Sequence, residues 1–122
     1  MKTIKILFAS IFALIASQSV NAQSGKETLN SRTKSETIKV YGECGMCKKR
    51  IEKAASAVDG VQSASWNEDT KSLTVKYDLF KKETVDNVQK KVASVGHDTE
   101  KYIADDAAYQ RLPECCHYQR KQ

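Results

Sequence analysis

Between residues 36 and 104 of this 122-residue chain the hydrophobic period changes repeatedly, and that change limits the fold more than any other feature. Ile38 and Val40 alternate with Thr37 and Lys39, the pattern of a half-buried strand. After Gly42-Glu43-Cys44-Gly45-Met46-Cys47 the period becomes helical, with Cys47, Ile51, Ala54, Ala55 and Val58 on one face. Asp59-Gly60 ends this helix, Gly60 being suited to a left-handed cap. Val61 to Trp66 reads as a second strand and Asn67 to Lys71 as a polar turn. Leu73, Val75 and Tyr77, alternating with Ser72, Thr74 and Lys76, form a third strand close enough to the second for a hairpin. Val85, Val88, Val92 and Val95 define the face of a second helix near 83–95, closed by Gly96. Its valines are β-branched, so tertiary packing has to hold it. His97-Asp98 is a short loop, and Thr99 to Ala104 is predicted as the last strand.

Strand, helix, strand, strand, helix, strand predicts an α+β, ferredoxin-like βαββαβ sandwich. Right-handed crossovers place both helices on one face of a four-stranded antiparallel sheet. The apolar share of 40% supports a small core.

The flanks have other characters. Residues 1–22 read as a secretory signal peptide: Lys2 and Lys5, an apolar run from Ile6 to Ala16, and Val20-Asn21-Ala22 before the cut. The run is too short to span a bilayer, so no stable membrane insertion is expected after cleavage. The segment carries two of the 20 basic residues and no acid, which leaves residues 23–122 with 18 bases against 15 acids. That balance is mild and interspersed, apart from Lys48-Lys49-Arg50, and nucleic-acid binding would require a denser basic stripe. Residues 23–35 are polar and read as a flexible linker, and residues 105–122 as a C-terminal tail. The expected location is outside the cytoplasm, the periplasm rather than full secretion.

Cys44 and Cys47 sit where a strand meets a helix N-terminus. A Cys-x-x-Cys loop can turn both sulfurs toward one ion, and the helix dipole and free N–H groups there lower thiol pKa values. Thiolates are soft ligands that favour soft ions such as Cu(I). Gly42 and Gly45 let the loop bend, and Lys48, Lys49 and Arg50 can offset a dithiolate's charge or present a basic rim to an acidic partner.

This loop, in this element order, resembles the heavy-metal-associated (HMA) domain family, which includes copper chaperones, modules of metal-pumping ATPases and the periplasmic mercury-binding protein. Val58-Asp59-Gly60-Val61 and Gly96-His97-Asp98 are similar to the family's pattern as well, and the likeness spans about residues 36–104. It implies that Cys44 and Cys47 are the metal ligands and that the ion passes on by thiolate exchange, with no catalytic residue. Gly42 departs from the family, which usually has a Met there packed beneath the loop, so a looser loop is expected. His97 stands where the family often has an aromatic residue or Lys facing the metal, and reads either as a ligand or its partner or as a plain loop residue. Met46 either lends its thioether to a soft metal or simply packs.

The tail ends in Glu114-Cys115-Cys116-His117, a possible second set of soft ligands. Twelve residues separate Ala104 from Cys116, and at about 3.3–3.6 Å each they can reach back over the first pair. A disulfide to Cys44 or Cys47, or no role at all, are the other readings. The sequence therefore predicts a non-enzymatic, exported metal carrier, with Cu(I) ahead of Hg(II), Zn(II) and Cd(II). Expected partners are a metal-transporting membrane protein or another thiol-bearing carrier. The alternative is a thiol–disulfide oxidoreductase using the same pair; it lacks the usual Pro facing the motif, since the one Pro is Pro113.

Overall fold

A computed structural model describes residues 32–121; the predicted signal peptide at 1–22 and most of the predicted linker at 23–35 lie outside the described residues. Strand β1 (Thr33–Lys39) leads through the cysteine loop to helix α1 (Gly45–Ser56). Strands β2 (Val61–Asn67) and β3 (Ser72–Asp78) form the hairpin, and helix α2 (Thr84–Ser94) follows. The tail carries the short helix α3 (Asp106–Gln110) and a single 3-10 turn (Glu114–Cys116). Among the described residues no helix is long and apolar enough to cross a membrane.

The sheet is antiparallel, in the order β1-β3-β2, with Ile38 and Trp66 both opposite Leu73. Ile38, Leu73, Val75, Tyr77 and Trp66 are buried from the strands, and Ile51, Ala54, Ala55, Val88 and Val92 from the helices. Thr37 and Thr74 meet through their hydroxyls at 3.2 Å on the solvent side. One face of the sheet thus carries the core and the other meets water, as period-two alternation requires. The hairpin turn is held by Asn67, whose Oδ1 accepts from the amides of Asp69 (2.8 Å) and Thr70 (3.0 Å).

Two predicted boundaries change. β1 starts at Thr33, three residues earlier than the alternation placed it, because residues 33–35 pair with β3. The predicted fourth strand at 99–104 does not form as a strand: only Val40 and Thr99 make an isolated bridge, extended by Tyr41 N to Asp98 O at 2.9 Å and Glu100 N to Lys39 O at 3.1 Å. The reason lies in where the next amides go. Thr99 N donates to Tyr102 O, Lys101 N to Gln89 Oε1, and Ala104 N to Asp98 Oδ1 at 2.8 Å. Each donor taken by a turn or a side chain is lost to a ladder, so pairing stops after one bridge.

Residues 105–121 pack onto this frame: Leu112, Cys116 and Tyr118 belong to the same core cluster as the strands and helices. The Tyr118 hydroxyl accepts from Asp98 N and donates to Gly96 O, both at 2.8 Å. Gly96 has φ 107°, and a Cβ there would stand 2.9 Å from the Ala108 carbonyl oxygen, so only glycine lets the tail approach this closely. The fully buried Asp98 carboxylate binds Arg120 (2.9 Å) and accepts from the amides of Ala104 and Lys121. Arg120 also reaches Asp106 and the Ala104 carbonyl.

Burial alone would raise the Asp98 pKa, but Arg120 and the two amides outweigh it and hold the carboxyl below its usual range. A carboxyl with a depressed folded-state pKa stabilises the fold above its unfolded value of about 3.9, and that contribution fades as pH falls through the folded value. Thermal stability should therefore drop below about pH 4 as Asp98 is protonated and releases Arg120. Asp98→Asn should show a flatter acid limb in pH-dependent melts; parallel acid limbs in both proteins would remove Asp98 from this role.

Candidate metal site

Cys44 has extended backbone (φ −132°, ψ 177°) and caps α1, its carbonyl accepting from Lys48 N at 3.0 Å. Cys47 lies in the first turn, fully buried, and its sulfur accepts from Glu43 N at 3.4 Å. The two sulfurs are 3.7 Å apart. The loop beneath them is tight rather than loose. A Cβ at Gly42 would sit 3.0 Å from the Trp66 indole and 3.1 Å from Cys47 Cβ. The indole fills the space against Gly42, anchored by Nε1 donating to Val40 O at 3.0 Å.

The tail brings the other two cysteines to the same place. Cys44 Sγ lies 3.3 Å from Cys115 Sγ and 3.7 Å from Cys116 Sγ, and the tail sulfurs are 4.0 Å apart. The ligand atoms of Cys44, Cys115 and Cys116 all fall within 4.8 Å of one another. All four cysteines are free thiols. Cys47 N–H, then the Cys115 thiol, draw the Cys44 pKa from 9.0 down to about 7, against the opposing effect of burial. Burial pushes the Cys116 thiol far up, and the neighbouring Cys44 pushes Cys115 up. One sulfur of the group is thus poised to ionise near neutral pH while two stay protonated until something replaces the protons.

The remaining sequence candidates are placed differently. His97 is fully buried, its ring stacked on Tyr118 at 5.5 Å, and Nδ1 lies 2.8 Å from Tyr41 O. A carbonyl only accepts, so Nδ1 carries the proton. Burial lowers the His97 pKa and keeps the ring neutral. Its buried Nε2 has no hydrogen-bond partner, yet the ring is not part of the sulfur cluster. His117 is exposed and stacks on Tyr109 at 5.0 Å, also outside the cluster. Met46 is 53% exposed, with Sδ 3.6 Å from Cys115 Sγ. In the basic run, Lys48 is tied to Trp66 O (2.7 Å) and Glu52 (3.3 Å). Arg50 turns inward and donates to Cys116 Sγ at 3.7 Å, leaving Lys49 exposed. Sequence reasoning missed Trp66 under the loop and the Tyr118 and Arg120 clasp that aims the tail. The short Gly96-His97-Asp98 loop was the available signal for the clasp, since a buried acid there needs a cation.

The fold and this loop define a small metal-binding class of α+β domain, and comparison with known proteins agrees. The family described as "Heavy-metal-associated domain" matches residues 37–98, half of the chain, and the protein belongs to that family. Among solved structures, a protein titled "CopZ metallochaperone" is 33% identical, with a TM-score of 0.50, over 54% of this chain and 98% of that one. Oxidized MerP from Ralstonia metallidurans CH34 is 29% identical, with a TM-score of 0.51, over 56% of this chain and 94% of that one. A search of curated proteins finds no match. The family match ends at residue 98, before Cys115 and Cys116.

Proposed function

We propose that this protein carries a soft metal cation, Cu(I) foremost, on Cys44 and Cys47 and hands it on by thiolate exchange. The observation that supports this most is the pair of sulfurs 3.7 Å apart at the head of α1, with the Cys44 pKa drawn down to about 7. An ionised thiolate is the form that ligates, and binding releases whatever protons remain on the other thiols. Similarity to a protein titled as a metallochaperone supports a carrier rather than a storage role. Soft sulfur donors favour Cu(I), with Hg(II), Zn(II) and Cd(II) the other cargoes this chemistry accepts.

Cys44 is half-buried and Cys47 fully buried, so an incoming thiolate meets the ion on the Cys44 side. The acceptor adds its sulfur, a Cys44 or Cys47 bond breaks, and the ion changes hands without entering water. Export to the periplasm, supported by the character of residues 1–22, makes a metal-transporting membrane protein or another thiol carrier the partner. The 3.3 Å approach of Cys44 to Cys115 also favours a second reading, thiol–disulfide exchange. Anaerobic titration of the reduced protein with Cu(I) against a competing chelator separates the two. Tight one-to-one binding with no turnover of a disulfide substrate is expected; no binding together with such turnover overturns the carrier reading.

A further inference from the structure

The family match does not reach the tail, yet the tail places two more sulfurs on the site. We propose that Cys115 and Cys116 join Cys44 and Cys47 in one closed site that holds its ion with at least three sulfurs, and that the tail is the built-in ligand an acceptor must displace. This rests on the reading of Cys44 and Cys47 as cargo ligands.

Sulfur spacing decides the coordination number. With metal–sulfur bonds of about 2.3 Å, a linear two-coordinate ion holds its sulfurs about 4.6 Å apart, a trigonal one about 4.0 Å and a tetrahedral one about 3.8 Å. Cys44, Cys115 and Cys116 are 3.3, 3.7 and 4.0 Å from one another and Cys44 is 3.7 Å from Cys47, all short of the linear span, while Cys47 lies outside the group of three. Three sulfurs around one ion, Cys44, Cys115 and Cys116, fit them as they stand; opening any of these pairs to a linear span, or drawing in Cys47 as a fourth ligand, requires the sulfurs to shift. The cluster suits cations that accept three thiolates, such as trigonal Cu(I).

The position of the tail does not depend on the ion. Leu112, Cys116 and Tyr118 are core residues, and Tyr118 and Arg120 lock the segment to Gly96 and Asp98. Much of the ordering of these ligands is therefore met by packing in the folded chain rather than by the metal, which favours affinity. A third or fourth thiolate adds negative charge, and Arg50 beside Cys116 offsets part of it. Each thiol that ligates gives its proton to solvent. Cys115 is the exposed sulfur, so an acceptor thiolate displaces it first and meets Cys44 next.

The test is X-ray absorption of the full chain loaded anaerobically with Cu(I), alongside chelator competition. Three sulfurs per ion are expected in the wild type and two in Cys115→Ser/Cys116→Ser. That variant should bind at least about 10-fold more weakly, the scale of a lost supporting interaction, and release Cu(I) to a thiol competitor faster. Cys116 is buried, so exposed Cys115→Ser alone serves as the variant that leaves packing intact, and the wild-type coordination number stands without either. Two sulfurs in the wild type with unchanged affinity in the variants overturns this inference and leaves the Cys44–Cys47 carrier standing. A wild type that takes up no Cu(I) overturns both.

Discussion

Cys44→Ser is expected to weaken Cu(I) binding by about 10³-fold, or roughly 4 kcal/mol, more than any other single sulfur replacement. The reason is position. Cys44 is within 3.3–3.7 Å of each of the other three sulfurs, so every ligand set that the cluster offers passes through it. It is also the thiol drawn down to about 7, and hence the one of the group that gives up its proton most readily near neutral pH. Serine presents a hard, protonated oxygen that a soft cation binds poorly. Cys44 is half-buried and belongs to a loop, so the exchange should leave the fold standing. Cys47 is a less clean probe: it is fully buried, and its sulfur accepts the Glu43 amide, so Cys47→Ser mixes lost ligation with lost packing. Chelator competition on Cys44→Ser, Cys47→Ser and Cys115→Ser, with melting curves for each, gives the ranking. Equal losses at Cys44 and Cys115 would mean that the cluster has no hub.

Much of this arrangement was legible before any coordinates. The apolar face Cys47, Ile51, Ala54 and Ala55 is the buried face of α1, and Leu73, Val75 and Tyr77 point inward from β3. Local period carries that information because it depends only on near neighbours. The misses depend on side-chain partners and turns that periodicity does not register, most of them distant in sequence. Thr99 to Ala104 has strand-like composition, but Gln89 and Asp98 capture its amides, and neither fact appears in a local pattern. Gln89 itself is buried on a helix face read from its valines alone. The Cys-Cys-His run reads in sequence as candidate ligand chemistry, with a disulfide or no role as the other readings. Its geometry is not legible there, because Tyr118 and Arg120 decide it by reaching back to Gly96 and Asp98, and the same clasp leaves His117 outside the cluster. Gly42 suggested a loose loop only because its partner, Trp66, lies 24 positions away on another strand.

That pairing carries the second large effect. Trp66→Ala should lower stability by about 3–5 kcal/mol, the usual result of emptying a buried aromatic site. Domains of this size hold about 5–15 kcal/mol in total, and each kcal/mol moves the melting temperature by roughly 4–8 °C. A fall of more than about 12 °C follows. The void would open beside Gly42, because the indole stands 3.0 Å from where a Cβ at that position would lie. Loss of the Nε1 bond would also strip the Val40 carbonyl of its side-chain donor beside the single bridge to Thr99. Gly42→Met in the wild type should be destabilising by about 1–3 kcal/mol, since its Cβ would already stand 3.0 Å from the ring. In the Trp66→Ala background the indole contact is gone and only the 3.1 Å approach to Cys47 Cβ remains, so the cost of the same Met should shrink and part of the lost stability return. Two residues that fill one cavity give a large coupling term in a double-mutant cycle. Additive effects in that cycle, measured by thermal melts of all four proteins, would show that Trp66 does not replace the Met expected at position 42. With coupling observed, the rigid seat of Cys44 and Cys47 in this chain traces to an indole supplied from β2, and Cu(I) affinity should fall in Trp66→Ala and recover with Gly42→Met.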